Sequence, residues 1–448
     1  MAVKGASVGT SAYIGTLATQ NLDAMLKNIE LDIVNVVFHE TPAFDAFGSE
    51  KLNWYGRRAT FPIKTGMNGS FAGYAEGGIL PEPGKSAAKE CEVTQKSLAG
   101  QFALTGQAIS NTKGDEGSLV RAINLEQESL IDGIKFNVER MFWGDGDGVI
   151  GKCLTYVANA GPDPDDGTVN MDATITNGYT NTTCMFDGMK VVWGTAAQLN
   201  AGTPAGYGYI DGVDDDDSFG LHTTGGIVPV NATDFFCLGT YNSAKAEYAI
   251  SYAREFPGIR AMASATSTLQ GLAVATSPFW IAKILQANAG GGNITLTDDL
   301  MIRALILYKR FYGGGRLPNM IWATPGMENE LFKMMYTQRR FQPQEYKGGF
   351  RGDLEFTYGD ATIPFHYADM AFRNELLFCR KEEIKYSFAT PLGWLLGEFN
   401  GGRVLYLDTG YNQGIGAFGC DGTMLIKNRR SLLRLQEIAC TDDFASPA

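Results

Sequence analysis

Within residues 17–38, Leu22, Met25, Leu26, Ile29, Ile33 and Val37 fall at mixed three- and four-residue steps, the spacing that turns one face of an α-helix toward a core. The spacing returns at Leu119, Ile123, Leu130, Ile134, Val138 and Met141. With Asp115 and Glu116 ahead of a Ser118 cap, it predicts a helix from 118 to about 142, on the order of 37 Å long, ending at Gly144. Thr297, Asp298 and Asp299 head another helix, whose inner face is Leu300, Met301, Ala304, Leu305, Tyr308 and Phe311 and whose stop is the glycine run 313–315. "NMIWAT" (319–324) then reads as a short buried strand, and "PGMENELFKMMYTQRRF" (325–341) as a helix with acids in its first turn and Arg339 and Arg340 in its last. Residues 240–256 also read as helical.

Strand character dominates elsewhere. Trp54, Tyr55, Phe61 and Ile63 lie in one arm of a hairpin expected between 52 and 110, and the stretch from Cys91 to Leu104 forms the other. Between them "EGGILPEPGKSAAKE" (76–90) carries Gly, Pro and mixed charge, and predicts a polar tip. A two-stranded arm is marginal in water by itself, so it is expected to lie on a neighbouring copy. Residues 152–234, rich in Gly, Thr, Asn and Asp, read as short strands and loops, with the acidic run 214–217 solvated. Strands return from 354 to 438, and helix, strand, helix over 298–341 is α/β layering.

Composition supports an ordered, turn-rich chain. Of 448 residues, 44% are hydrophobic and 19% charged, and the 55 glycines exceed the usual share of about 7% without a matching excess of proline. The formal net charge of −12 disfavours a sequence-specific nucleic-acid reader and permits a container whose wall does not adhere to an enclosed polyanion. Seven scattered cysteines, none in a Cys-x-x-Cys pair, read as reduced core residues, and His39, His222 and His366 are too few and too separated to suggest a zinc site or a histidine triad. The N-terminus lacks an apolar signal region and no stretch approaches about 18 apolar residues, so synthesis and residence in cytosol are expected and no membrane partner is.

Four short motifs suggest chemistry, and each has a plainer reading. "VLYLDTG" (404–410) resembles half of an aspartic protease site with Asp408 as the carboxylate, but the dyad needs two acids about 3 Å apart. Cys420-Asp421-Gly422-Thr423 reads as a turn between strands and supplies no second half. "GDGDGVIG" (144–151) lacks the distal Glu and following helix of a calcium loop and reads as a turn. Arg351-Gly352-Asp353 reads as chance in a cytosolic chain.

The order of elements is distinctive: an N-terminal arm, a long hairpin, one very long helix ending in Phe142-Trp143-Gly144-Asp145-Gly146, an α/β unit, and a return of strands through "GYNQGIGAFGCDGTMLIKNRRSLLRLQEI". It resembles the tailed-phage major capsid protein of the Hong Kong 97 fold over nearly the whole chain. The resemblance implies an α+β fold with an N-terminal arm (1–48), an extended E-loop with the start of the peripheral domain (49–110), a spine helix (111–149), and an axial domain (150–403) with an insertion at 152–234. The peripheral domain would then be completed by the strands of 404–448. It implies no enzyme and no cofactor, but a subunit that assembles with itself as hexamers and pentamers into an icosahedral head. The head would enclose double-stranded DNA without sequence specificity, be built in the host bacterial cytoplasm and end in the virion.

Portal and scaffolding proteins are implied partners, with room for a maturation protease and a decoration protein. The roughly 47 residues before the E-loop are too few for a fused scaffold. Arg57, Arg58, Arg339, Arg340, Arg429 and Arg430 become candidates for ion pairs between subunits. Lys85, Lys89 and Asn428 have the residue types of a family lysine–asparagine cross-link. An encapsulin-type nanocompartment shell is the alternative within the fold, and a dimeric aspartic protease using Asp408 the alternative outside it.

Overall fold

The computed structural model describes residues 42–107 except 75 and 77, residues 116–395 except 160–164, 173–178, 214, 244, 289, 313–315, 339–354 and 359–360, and residues 406–407 and 412–440. The helix expected at 17–38, Arg339 and Arg340, the 351–353 tripeptide and Asp408 lie outside the described residues. Helix α1 (Pro42–Ala46) leads to β1 (Arg58–Gly66) and β2 (Ala87–Thr94), an antiparallel two-stranded sheet. Its inner face buries Ala59, Cys91 and Val93, while Arg58 and Thr60 stay exposed, as period-two side-chain alternation requires.

The second arm does not run on as one strand to Leu104. After Gln95 the chain enters β3 (Lys96–Thr105), which leaves the hairpin and pairs with residues 413–422 near the C-terminus. Alternation locates a strand but does not name its neighbour, and a ladder of ten registered pairs here outcompetes further pairing with β1. Helix α2 (Glu116–Trp143) follows, close to the length its periodicity predicts.

β4 (Val149–Ala158), β5 (Asp166–Met171), β6 (Lys190–Gly194), β7 (Gly206–Val213), β8 (Ser218–Thr223), β9 (Phe235–Asn242) and β10 (Glu247–Ile250) make an antiparallel sheet, with α3 (Ala196–Ala201) between β6 and β7. The order is β10-β9-β4-β5-β8-β7-β6, and β6 pairs back onto β9, so six strands close a ring. Closure satisfies sheet edges that short, glycine-rich strands would otherwise expose. Glycine serves the tight walls: a Cβ at Gly208 would overlap the backbone carbonyl of His222, and one at Gly167 the ring of Tyr156.

No helix spans 240–256. Tyr241 of β9 stands directly opposite Tyr248 of β10, their ring centroids are 4.7 Å apart, and Tyr207 joins them at 4.9 and 5.9 Å. Cross-strand aromatic pairing of this kind favours the hairpin over a helix. Of the acidic run, Asp217 is exposed as expected, but Asp216 is not simply solvated. Asp216 pairs with Arg373 at 2.8 Å and both side chains are largely buried, because Thr182 holds the loop inward through its N–H to Asp216 O and its hydroxyl to Asp215 O.

After α4 (Ile259–Met262) come β11 (Lys283–Gln286), α5 (Asp298–Tyr312), β12 (Met320–Ala323), α6 (Pro325–Gln338), β13 (Glu355–Tyr358), β14 (Ala361–Tyr367) and β15 (Leu376–Cys379). Next are β16 (Ile384–Trp394), β17 (Tyr406–Leu407), β18 (Gln413–Ile426) and β19 (Leu433–Gln436). A mixed sheet takes the order β11-β19-β15-β12-β14-β13, and its fully buried central strand Met320–Ala323 shares a core with α5 and α6. In the remaining sheet β18 is central, flanked by β3 on one edge and by β16 and β17 on the other. The described strands of this C-terminal stretch lie in two sheets, β17 and β18 in one and β19 in the other. Cys420-Asp421-Gly422-Thr423 is a run inside β18, not a turn, and Gly422 is required there because a Cβ would overlap the Tyr386 hydroxyl.

All seven cysteines are free thiols, and every one except Cys440 is buried. Burial pushes Cys91, Cys184 and Cys237 up to about 12, and Cys153 and Cys420 up to about 11, with Cys379 also raised. A raised thiol pKa leaves less thiolate at a given pH, so these six are poor nucleophiles below their own pKa. Alkylation of the folded chain at pH 8, read by peptide mass spectrometry, is expected to modify Cys440 first and the six buried thiols only after denaturation.

Candidate functional site

Two features stand apart from ordinary core packing: the joint at the end of α2, and the arm that projects from it. At the joint, Glu139 Oε1 accepts from Ala43 N and from Trp143 Nε1, each at 3.0 Å, and so ties the incoming chain to the last helical turn. Arg140 forms a buried ion pair with Glu255, and Tyr179 donates its hydroxyl to the Arg140 carbonyl. Desolvation works against the Arg140 charge, but the Glu255 charge and hydrogen bond, with Tyr179 and Cys184 adding to them, hold it above the ordinary arginine range. Desolvation pushes the Tyr179 phenol well above the usual tyrosine range.

Aromatic rings carry the joint outward. Trp143 meets Trp322 at 5.4 Å and Phe372 at 6.0 Å, while Phe142 meets Tyr386 at 5.4 Å and Phe256 at 5.8 Å. The chain can turn so sharply here because Gly146 and Gly148 adopt φ of +92° and +75°. A Cβ at Gly258 would overlap the carbonyl oxygens of Met141, Phe142 and Gly144. "GDGDGVIG" is therefore a turn, as expected, and β4 rather than a helix follows it.

The arm ends differently from its expectation. Residues 67–86 join β1 to β2 as an extended loop, whose two limbs are held together by Asn68 Nδ2 donating to Gly84 O at 3.1 Å and by Ser70 Oγ donating to Glu82 O. Its tip is not polar. Met67, Phe71 and Ile79 are 84%, 82% and 97% exposed, and Tyr74 and Leu80 are exposed with them. Five large apolar side chains within 14 residues of sequence form a cluster of the kind that marks a contact surface. Their sequence signal is the apolar residues set among glycines in "GMNGSFAGYAEGGIL", of which only the last five residues fell in the stretch expected to be a polar tip.

The residues singled out from sequence do not converge on one site. Arg57 and Arg58 sit exposed at the base of the arm, where Arg58 pairs with Glu92 of its own strand partner at 3.1 Å. Lys85 is exposed on the loop. Lys89 turns inward, donating to Thr276 O at 3.1 Å and Ser277 Oγ at 2.8 Å above the Phe279 ring. Asn428 caps a short 3-10 turn by accepting from Arg430 N at 3.1 Å, and Arg430 donates to Phe279 O. Arg429 is a correction: it is wholly buried and spends its donors on carbonyls of its own chain, which takes it out of any contact between subunits. The joint's Glu139, Arg140 and Glu255 went unnoticed in sequence, although an adjacent Glu-Arg pair just before Met-Phe-Trp is a signal of buried charge.

Among the described residues no three His, Cys, Asp or Glu side chains group as metal ligands. His222 Nδ1 lies 2.7 Å from Asp166 and its ring stacks on Tyr209, and His366 lies against Trp322, so both are accounted for by packing. The small apolar cavity lined by Leu98, Val138, Met141, Phe256 and Tyr386 adjoins the joint and presents no cluster of acids.

No protein-family model matches the chain, and no curated protein matches its sequence. Solved structures do. The capsid asymmetric unit of cyanophage A-1(L) superposes with a TM-score of 0.54 at 12% identity, over 94% of this chain and 99% of that one. The capsid of a native GTA particle gives 0.47 at 9% identity over 92% and 97%, and the SrpI encapsulin complex from Synechococcus elongatus gives 0.42 at 6% over 95% and 99%. The first of these establishes the fold: a mixed α/β chain of several sheets and few helices, shared end to end with a Hong Kong 97-like capsid chain.

Breaking the joint has a defined cost. Glu255→Gln strands the Arg140 charge in the core, and losing one partner of a buried pair costs about 3–5 kcal/mol. Thermal or urea unfolding is expected to show that loss, while the parent chain remains cooperative.

Proposed function

We propose that this chain is the major capsid subunit of a tailed double-stranded DNA phage, assembling with itself into an icosahedral head. The observation that carries the reading is the fold shared over nearly the full length of a cyanophage capsid chain, completed by an arm whose apolar tip is exposed among the described residues. An enzyme explains neither. On this reading the 67–86 loop with β1 and β2 is the extended E-loop, and α2 is the spine helix. The mixed sheet with the barrel forms the axial part, and the β3–β18 sheet forms the peripheral part.

The tip residues Phe71, Ile79 and Leu80 then meet a neighbouring copy, removing apolar area from water at about 25 cal/mol per Å². Shell assembly multiplies so modest a contact, because every subunit both gives an arm and receives one. Arg57, Arg58 and Lys85 lie at the rim of that contact, where charge sets register more than affinity. The net charge of −12 suits a wall that encloses DNA without holding it. Scaffolding, portal, maturation-protease and decoration partners, assembly in the host cytoplasm and residence in the virion belong to the same reading.

Electron microscopy with light scattering, on the chain expressed with and without a scaffolding partner, tests it. Closed shells of uniform size, tens of nanometres across, are expected; a small dispersed species under both conditions would overturn the reading, and uniform shells that retain a protein cargo instead of DNA would transfer it to an encapsulin. A chain carrying Phe71→Ser, Ile79→Ser and Leu80→Ser is expected to keep the parent melting temperature, because these side chains are exposed, yet to stay unassembled in the same light-scattering measurement.

A further inference from the structure

The arm's strands β1 and β2 form a sheet of their own, which packs Ala59 and Val93 on Leu425 of β18. One turn adds hydrogen bonds to that packing. Gln270 and Gly271 both have positive φ, 52° and 76°, and Leu269 and Leu272 exchange backbone hydrogen bonds of 3.1 and 3.0 Å, which is the geometry of a type I′ turn. At its apex the Gln270 carbonyl accepts from Glu92 N of β2 at 3.1 Å. Its side-chain amide, with Nε2 turned toward Ile426, donates to Ile426 O at 2.9 Å and accepts from Ile426 N at 2.8 Å. Gln270 thus bridges the arm's inner strand and the end of β18.

A non-glycine residue in the left-handed region is uncommon, and glycine would serve the turn better. What Gln270 adds is a side chain that imitates a strand partner on Ile426. Farther along the loop, Thr276 O and Ser277 Oγ take the ammonium of Lys89, also from β2.

The loop itself is keyed from below by Arg429. Its Nε donates to Met262 O at 2.9 Å, Nη1 to Ser267 O at 2.8 Å and Trp280 O at 3.1 Å, and Nη2 to Ala261 O at 2.9 Å and Ser267 Oγ at 2.8 Å. All five guanidinium donors are used, every acceptor is a neutral oxygen, and those acceptors span 261 to 280. Burial lowers this guanidinium to about 10, so it stays charged at neutral pH.

We infer that residues 261–280 are a clamp: Arg429 sets its shape, Gln270 and Lys89 are the residues through which it grips β2, and its grip fixes the direction of the arm. Resting on the capsid reading, the clamp then sets the angle at which each subunit reaches its neighbour, and hence shell size.

Hydrogen exchange on the expressed chain tests the grip in Gln270→Gly, which keeps and eases the turn while deleting the bridge to Ile426. The amides of 87–94 are expected to exchange about tenfold faster, the effect of losing side-chain hydrogen bonds of ordinary strength, with those of 433–436 unchanged. Unchanged protection over 87–94 overturns the clamp. Should Gln270→Gly fail to fold, Lys89→Met reads the same strand from a half-exposed position, and the same two outcomes decide. In electron micrographs the loosened arm is expected to broaden the spread of shell diameters; uniform parent-size shells from a chain with loosened 87–94 amides overturn the link to shell size. A parent chain that forms no shells defeats the capsid reading and leaves the exchange measurement to decide the clamp alone.

Discussion

The last turn of α2 is the constraint on which the rest of the structure depends. A helix ends with backbone carbonyls that run short of partners. Here Gly144 N donates to the Arg140 and Met141 carbonyls at 3.1 and 3.2 Å, Tyr179 adds its hydroxyl to the first, and the absence of a side chain at Gly258 lets the 256–258 segment press against the carbonyls of Met141, Phe142 and Gly144. On the same turn Glu139 reaches back to Ala43, Arg140 reaches Glu255, Phe142 meets Tyr386 of the β3–β18 sheet, and Trp143 meets Trp322 of the mixed sheet. One helical turn therefore ties two sheets to the incoming chain and to the segment that follows the barrel. A buried ion pair is weak evidence for net stability, but once the helix is committed to it the pair permits few alternative arrangements of these layers.

The arm shows the opposite economy of contacts. The body closes its barrel and packs one face of its mixed sheet on α5 and α6 and the other on the main core, while the 67–86 loop carries Met67, Phe71, Tyr74, Ile79 and Leu80 into solvent. On the proposed reading, that loop is the surface that copies of the chain cover. The rigid joint and the clamp at the arm's root fit the same logic, since an apolar tip is a specific contact only when its direction is fixed, and a wandering tip would be an aggregation hazard.

Much of this was legible in the sequence, for local reasons. The 28-residue helix α2 and the helix from Asp298 to Tyr312 follow from apolar spacing and from acids at their starts, and the strand Met320–Ala323 from an unbroken apolar run. The order of elements was enough to suggest the fold that the cyanophage capsid chain shares. Local pattern failed where pairing decided. The 240–256 stretch became a hairpin because Tyr241 found Tyr248 across a ladder, and the Cys420–Thr423 run became mid-strand because β3 and β16 flank it. Arg429 and Lys89 carried the signature of surface charge and were drawn inward by carbonyls far away in sequence.

By itself, then, the sequence determined what depends on neighbours a few residues apart: the two long helices with their acidic starts, the unbroken apolar strand Met320–Ala323, and where glycines turn the chain. The tertiary structure alone decided which strands are partners, that the glycine-rich middle closes into a barrel, that the arm's tip is apolar and uncovered, and which cations are buried. These outcomes are set by contacts between residues tens to hundreds of positions apart, such as Arg140 with Glu255 and Arg429 with Ala261. Period and propensity describe the surface a segment can offer; they hold no information about which distant segment will meet it.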